Sequence, residues 1–451
     1  MEQLLHRTAD LAARYLASLD HRPVKPPLDA VAALAELDVP MPAAGTPSET
    51  VLEELDRVGS PATVASAGGR FFGFVVGGAL PATVAANWLA TAWDQEAGMA
   101  ATSPATVAIE AVAHRWLLEL FELPADTATA FVTGATMANF TALAAARHAV
   151  LARAGWNVEA DGLFGAPPVT VIVGEEVHPT LRKALGLLGL GRNRVVTVAA
   201  DGQGRMRPEA LPPIAGPTIV CVQAGNVNSG NSDPIGRIAD VVGTRAWIHV
   251  DGAFGLWAAI SPETRALVAG YQRASSWATD GHKWLNVPYD SGYALVRDGA
   301  ALRAAMALSA AYLPSGAGRQ PDHFTPELSR RARGVETWAA LRALGRDGVR
   351  ELVERCCRLA RRFAAGLEAA GYPPLNDVVL NQVCVPFGDE ATTDRVVALV
   401  QDSGECWCGG TTWRGRRAMR ISVSSWATTE ADVDRSLRAI LAAAAAVRGD
   451  G

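Results

Sequence analysis

Three short stretches hold residue types able to carry covalent chemistry. The run Ser275-Ser-Trp-Ala-Thr-Asp-Gly-His-Lys-Trp-Leu-Asn-Val-Pro-Tyr-Asp-Ser-Gly292 sets Lys283 between His282 and Trp284, with Trp277 and Pro288 nearby. Such neighbours desolvate an amine, which favours its neutral form and makes it able to form a Schiff base. A freely solvated surface lysine is a poor reading in that company. Thirty-two positions earlier, Trp247-Ile-His-Val-Asp-Gly-Ala-Phe-Gly255 ends an apolar run on Asp251. A carboxylate there suits a protonated ring nitrogen, because the charge pair maintains an electron sink in a low-dielectric crevice. The same aspartate also fits a helix cap or a turn. In Thr133-Gly-Ala-Thr-Met-Ala-Asn139, small residues and free amides at a helix start make an anion cradle on Ala135 and Thr136, and they fit a plain capped turn as well.

These residues need a scaffold that brings strand ends together. The β-branched runs Ala130-Phe-Val-Thr133, Val169-Thr-Val-Ile-Val173, Val195-Val-Thr-Val198, Thr218-Ile-Val-Cys-Val222 and Trp247-Ile-His-Val250 alternate with helical patterns. That order predicts an α/β domain with a mainly parallel sheet, whose ligands lie outside the carboxyl ends of the strands. Division of the chain is expected at residues 1–80 (a helical dimerisation arm), 81–320 (the large domain) and 321–451 (a smaller α+β domain). In the last part, a long helix through 369 and strands near 378–385 and 419–423 precede a final helix through the alanine run 442–446.

With 41 basic and 46 acidic residues in 451, a formal net charge of −5, and 49% hydrophobic against 19% charged residues, the composition is that of a globular enzyme rather than a disordered chain. No broad basic footprint for nucleic acid or anionic membrane is present. Residues 1–19 carry Glu2, Arg7, Asp10 and Arg14, unlike a signal peptide, and no long uncharged apolar run occurs elsewhere. The six cysteines include no CxxC pair; reduced thiols in a cytoplasmic protein are the expectation, with no metal site at Cys406-Trp-Cys408.

Along most of its length, from about 69 to 426, and most specifically in His282-Lys283-Trp284, the sequence resembles the group II pyridoxal-phosphate-dependent amino acid decarboxylases, relatives of the aromatic-amino-acid, histidine and glutamate enzymes. The resemblance implies fold type I, the aspartate-aminotransferase-like α/β architecture, with pyridoxal 5'-phosphate as cofactor. It assigns the Schiff-base lysine to Lys283, the ring-nitrogen partner to Asp251, the small residue packing on the ring to Ala253, and the histidine stacking on the other face to His178 in Glu176-Val-His-Pro-Thr-Leu-Arg-Lys183. Ala135, Thr136 and His282 match phosphate contacts. Met137 and Asp280 stand where relatives often carry glutamate and asparagine, and 313–331 lacks the tyrosine that protonates the product in aromatic-amino-acid decarboxylases.

The function so implied is decarboxylation of a free L-amino acid to its amine and carbon dioxide by a homodimer, with a loop over 312–331 covering the site. Lys283 or His323, the best available donor in that loop, handles the proton, a solvated loop histidine being the other reading of His323; Arg420 is a candidate for the substrate carboxylate, a paired structural arginine being the other reading. Phe72 and Phe74, in Arg70-Phe-Phe-Gly-Phe-Val-Val-Gly-Gly78, form a possible apolar wall for an aromatic or bulky substrate, or part of the core. A decarboxylation-dependent oxidative deaminase, an aminotransferase or a carbon–carbon or carbon–sulfur lyase would use the same cofactor residues.

Overall fold

Strands of nearly continuous apolar residues need cover on both faces, as a parallel sheet between helices provides. In the computed structural model, which describes residues 1–308 and 319–449, seven such runs form one sheet: β1 (Ala128–Val132), β2 (Thr170–Gly174), β3 (Val195–Val198), β4 (Thr218–Gln223), β5 (Trp247–Asp251), β6 (Ser276–Asp280) and β7 (Gly292–Val296). Their order is β1-β7-β6-β5-β4-β2-β3. From β6 through β5, β4 and β2 to β3 all neighbours are parallel, and β7 runs antiparallel to both β6 and β1. Every residue of β1, β5, β6 and β7 is buried. The carboxyl ends of β1, β2, β4, β5 and β6 therefore share one edge.

One alanine-rich helix, Ala135–Ala152, packs across β1, β5, β6 and β7. Ala138, Ala142, Ala145 and Ala146 are wholly buried beside Leu143 and Leu151. Small side chains let its backbone lie close to the sheet and direct its amino end at the shared edge.

The chain forms two compact units, one of 77–358 with 376–382 and the other of 1–76 with 359–375 and 383–451. The first 76 residues, expected as an arm of their own, thus cluster with the C-terminal segments. The second unit holds a small sheet of order β8-β10-β9, from β8 (Gln382–Val385), β9 (Gly409–Trp413) and β10 (Arg416–Ser422), with β9 and β10 antiparallel. Two of its helices are Glu390–Asp402 and Glu430–Gly449. Ahead of β1 stand two helices, Pro81–Trp93 and Pro104–Leu120, the first ending where Asp94 turns left-handed. The helix Gly334–Ala369 is likewise interrupted at Gly345, with φ +62°.

Candidate active site

Asp251 is the last residue of β5 and is 5% exposed. Among the described residues it forms no ion pair within 4 Å. Burial raises its pKa, opposed by the nearby charges of His178 and Lys283 and by the Asn139 amide. Behind it lies a polar chain that sequence reasoning missed: His249 Nε2 meets Asn139 Oδ1 at 2.8 Å, and His249 Nδ1 meets Ser276 Oγ at 2.9 Å. Burial drives the His249 pKa down to about 3, so this ring stays neutral. The available signals were a histidine two residues before Asp251 and one asparagine in an alanine-rich helix.

Strand β6 ends on Asp280, whose amide donates to the Ala253 carbonyl at 2.9 Å, and the turn Gly281-His282 carries the chain to Lys283. Lys283 Nζ lies 3.0 Å from Asp280 Oδ2, and Asp280 is 2% exposed. The sequence led us to expect a lysine among apolar groups alone; the structure adds a carboxylate as its immediate partner. Asp280 Oδ1 also accepts the Ala135 amide at 2.5 Å and stands 3.5 Å from His282 Nε2. The substitution singled out in the sequence therefore points into the cradle, where an anion already meets the amino end of the helix. His282 Nδ1 accepts the Ser291 amide at 3.0 Å, its ring stacks on Tyr289 with centroids 4.4 Å apart, and burial lowers its pKa.

Close backbone approaches keep this edge in shape. A Cβ on Gly134 would stand 2.9 Å from His282 Cε1, and one on Gly77 would stand 2.1 Å from the Lys283 carbonyl oxygen. Beside Gly77, the Gly78 amide donates to Asn286 Oδ1 at 2.7 Å and the Leu80 amide to the Asn286 carbonyl at 2.9 Å. Asn286, buried and left-handed at φ +55°, is a second residue the sequence reading passed over. His178 begins the helix Pro179–Leu187 and lines a narrow cavity with Glu176, Asp233 and Asp251.

Three of the other expected residues, Phe72, Phe74 and Arg420, belong to the second compact unit. Phe72 is completely buried, edge-on to Phe363 at 5.0 Å, so it is a core residue with no surface to offer a substrate. Phe74 is 64% exposed, and its ring lies 5.3 Å from Trp407. Arg420 is on β10, where burial lowers its pKa. His323 ends the single turn Pro321–His323, half-buried, and its side chain makes no hydrogen bond among the described residues. Of the loop expected over 312–331, residues up to 318 lie outside the described residues.

Pyridoxal phosphate suits what is present. A buried carboxylate without an ion pair answers a protonated ring nitrogen, and an amine that is 21% exposed answers an aldehyde. The amino end of the Ala135–Ala152 helix, already accommodating a carboxylate, answers a phosphate.

Comparison with known proteins agrees. The family model described as the pyridoxal-dependent decarboxylase conserved domain matches residues 31–385. L-2,4-diaminobutyrate decarboxylase of Rhizobium meliloti (strain 1021) is 30% identical over 436 residues, covering 89% of this chain and 83% of that protein. Phenylacetaldehyde synthase of Arabidopsis thaliana is 25% identical over 374 residues, covering 75% and 74%. The crystal structure of Oryza sativa TDC with PLP and tryptamine superposes with a TM-score of 0.91 at 23% identity, over 99% of this chain and 97% of that one.

Proposed function

From the premise that the chain belongs to the pyridoxal-dependent decarboxylase family and is a pyridoxal-phosphate-dependent carboxy-lyase of fold type I, we propose that it converts an aromatic or otherwise bulky L-amino acid to its amine and carbon dioxide. The observation that carries this reading is the meeting of Asp251, Lys283 and His178 at one sheet edge. Bound pyridoxal phosphate supplies the electron sink that takes up the bond electrons as carbon dioxide leaves. Asp251 holds the ring-nitrogen proton. Lys283 Nζ would anchor the cofactor, and its amine is a group able to take up and return a proton. His178 and Ala253 would pack against the cofactor ring, His178 helping to exclude water. Thr136 and His282 would hold the phosphate, with the Ala135 amide exchanging its bond to Asp280 for one to the phosphate.

The bulky class is our reading of the segment 70–78, where Gly77 puts no side chain beside the Lys283 carbonyl. Absence of tyrosine from 313–331 favours a second reading, in which oxygen intercepts the carbanion and the product is an aldehyde; a relative named phenylacetaldehyde synthase is compatible with it. His323 is the proton donor in the first reading. The six cysteines are buried and form no disulfide among the described residues, which fits the reducing cytoplasm. A panel of amino acids, with carbon dioxide, amine, ammonia and peroxide measured together, tests both readings. Amine equal to carbon dioxide supports the first, equal aldehyde and peroxide support the second, and no carbon dioxide from any amino acid overturns the substrate class.

A further inference from the structure

His178 caps the helix Pro179–Leu187 with its own ring, in a place usually taken by a serine, threonine, aspartate or asparagine oxygen. Its Nδ1 accepts the backbone N–H of Thr180 at 3.3 Å and lies 2.7 Å from Thr180 Oγ1. A backbone amide can only donate, so Nδ1 must present its lone pair. The hydroxyl, free to turn its hydrogen either way, then donates to the same nitrogen. In a neutral imidazole the proton must be on the other nitrogen. Pro179 reinforces the arrangement. It has no N–H, which makes Thr180 the first donor of the helix, and it keeps the residue before it extended, as His178 is at φ −64° and ψ 138°.

We propose that Thr180 is a positioning residue for this site: by engaging Nδ1 it holds His178 as the Nε2–H tautomer in one ring orientation. The inference rests on the reading of His178 as a site residue. The ring shares its cavity with Asp251, so the choice of nitrogen decides where the site has a donor. Thr180 thereby acts through His178 and needs no contact with the substrate. Replacing the hydroxyl by a methyl leaves only the longer amide bond on Nδ1. The ring can then turn or move its proton, whereas a serine keeps the hydroxyl.

Nitrogen-15 spectra of histidine-labelled protein without substrate test the inference, the His178 signals among those of eight histidines being assigned by their loss in His178→Gln. Wild type is expected to show a bare Nδ1 and a protonated Nε2 at neutral pH. Thr180→Val should give a mixed or averaged pair, and Thr180→Ser should restore the wild-type pattern. A proton on Nδ1 in wild type, or a valine variant with an unchanged pattern, overturns the proposal. In the holoenzyme, Thr180→Val should lower kcat about 10- to 100-fold, the usual cost of losing a partner that orients a functional histidine, with KM little changed and activity returned by serine. An unaltered kcat would also overturn it. Because the spectra need no substrate, a failed tautomer leaves the decarboxylase reading intact, and a failed amino-acid panel leaves the tautomer intact.

Discussion

Lys283, in the turn after β6, carries the chemistry, and His249, on β5, supports the site through Asn139; each makes a measurable difference. Borohydride reduction of the holoenzyme followed by peptide mapping should fix the cofactor on Lys283, and Lys283→Ala should lose the visible absorbance of the bound cofactor. Label on another lysine would move the site. His249 titrates near 3 in the folded protein and about 6.5 when unfolded. The unfolded chain therefore binds more protons between those values, and stability present above pH 6.5 is lost as the pH falls toward 3. About 2 kcal/mol should be gone by pH 5 from this ring alone. Chemical denaturation of wild type and His249→Gln at pH 5 and 7.5 should show that extra slope only in wild type; equal slopes would mean the ring titrates normally. Asp251 and Lys283 could be singled out because each stands in a short motif after an apolar run, whereas His178 was assigned only through the family resemblance. Asp280's grip on Ala135, and Asn139 behind Asp251, were not legible, since their partners are more than a hundred residues away.

Elements were legible where their residues alternate or repeat in a recognisable period. β1 through β5 were read from β-branched runs. β6 and β7 were passed over because five-residue segments containing serine, aspartate, glycine and alanine have weak strand propensity. Burial on both faces also erases the alternation that would have marked them. Their importance is positional, since β6 delivers Lys283 and the loop between them meets the segment beginning at Gly77. Gly77→Ala should destabilise the protein by about 1–3 kcal/mol through overpacking against the Lys283 carbonyl and weaken cofactor affinity in an absorbance titration. An alanine variant with wild-type melting and affinity would mean that the segment yields freely.

For the whole molecule, apolar residues remain uncovered in both compact units. Leu28 is 80% exposed and Met41 95% in one; Leu89 is 55% exposed and Trp88 42% in the other. Large apolar side chains left facing water call for a partner surface, and we expect a homodimer. Sedimentation over a wide concentration range should find the dimer as the active species; a fully active monomer at high dilution would contradict it. None of the described helices is long and apolar enough to cross a membrane. The broad architecture followed from strand–helix alternation, but the grouping of residues 1–76 with the last part of the chain left no local signal, because it depends on contacts between segments far apart in sequence.

The antiparallel pairing of β1 with β7 also has a bearing on synthesis. Ala128 pairs with Val296 and Val132 with Gly292, so β1 leaves the ribosome about 160 residues before the strand that completes it. At roughly 5–20 residues per second this is an interval on the order of ten seconds or more, during which β1 has an open hydrogen-bonding edge and the sheet cannot close. The nascent chain is therefore exposed to mispairing through that edge, and its dependence on chaperones should be greatest before β7 emerges.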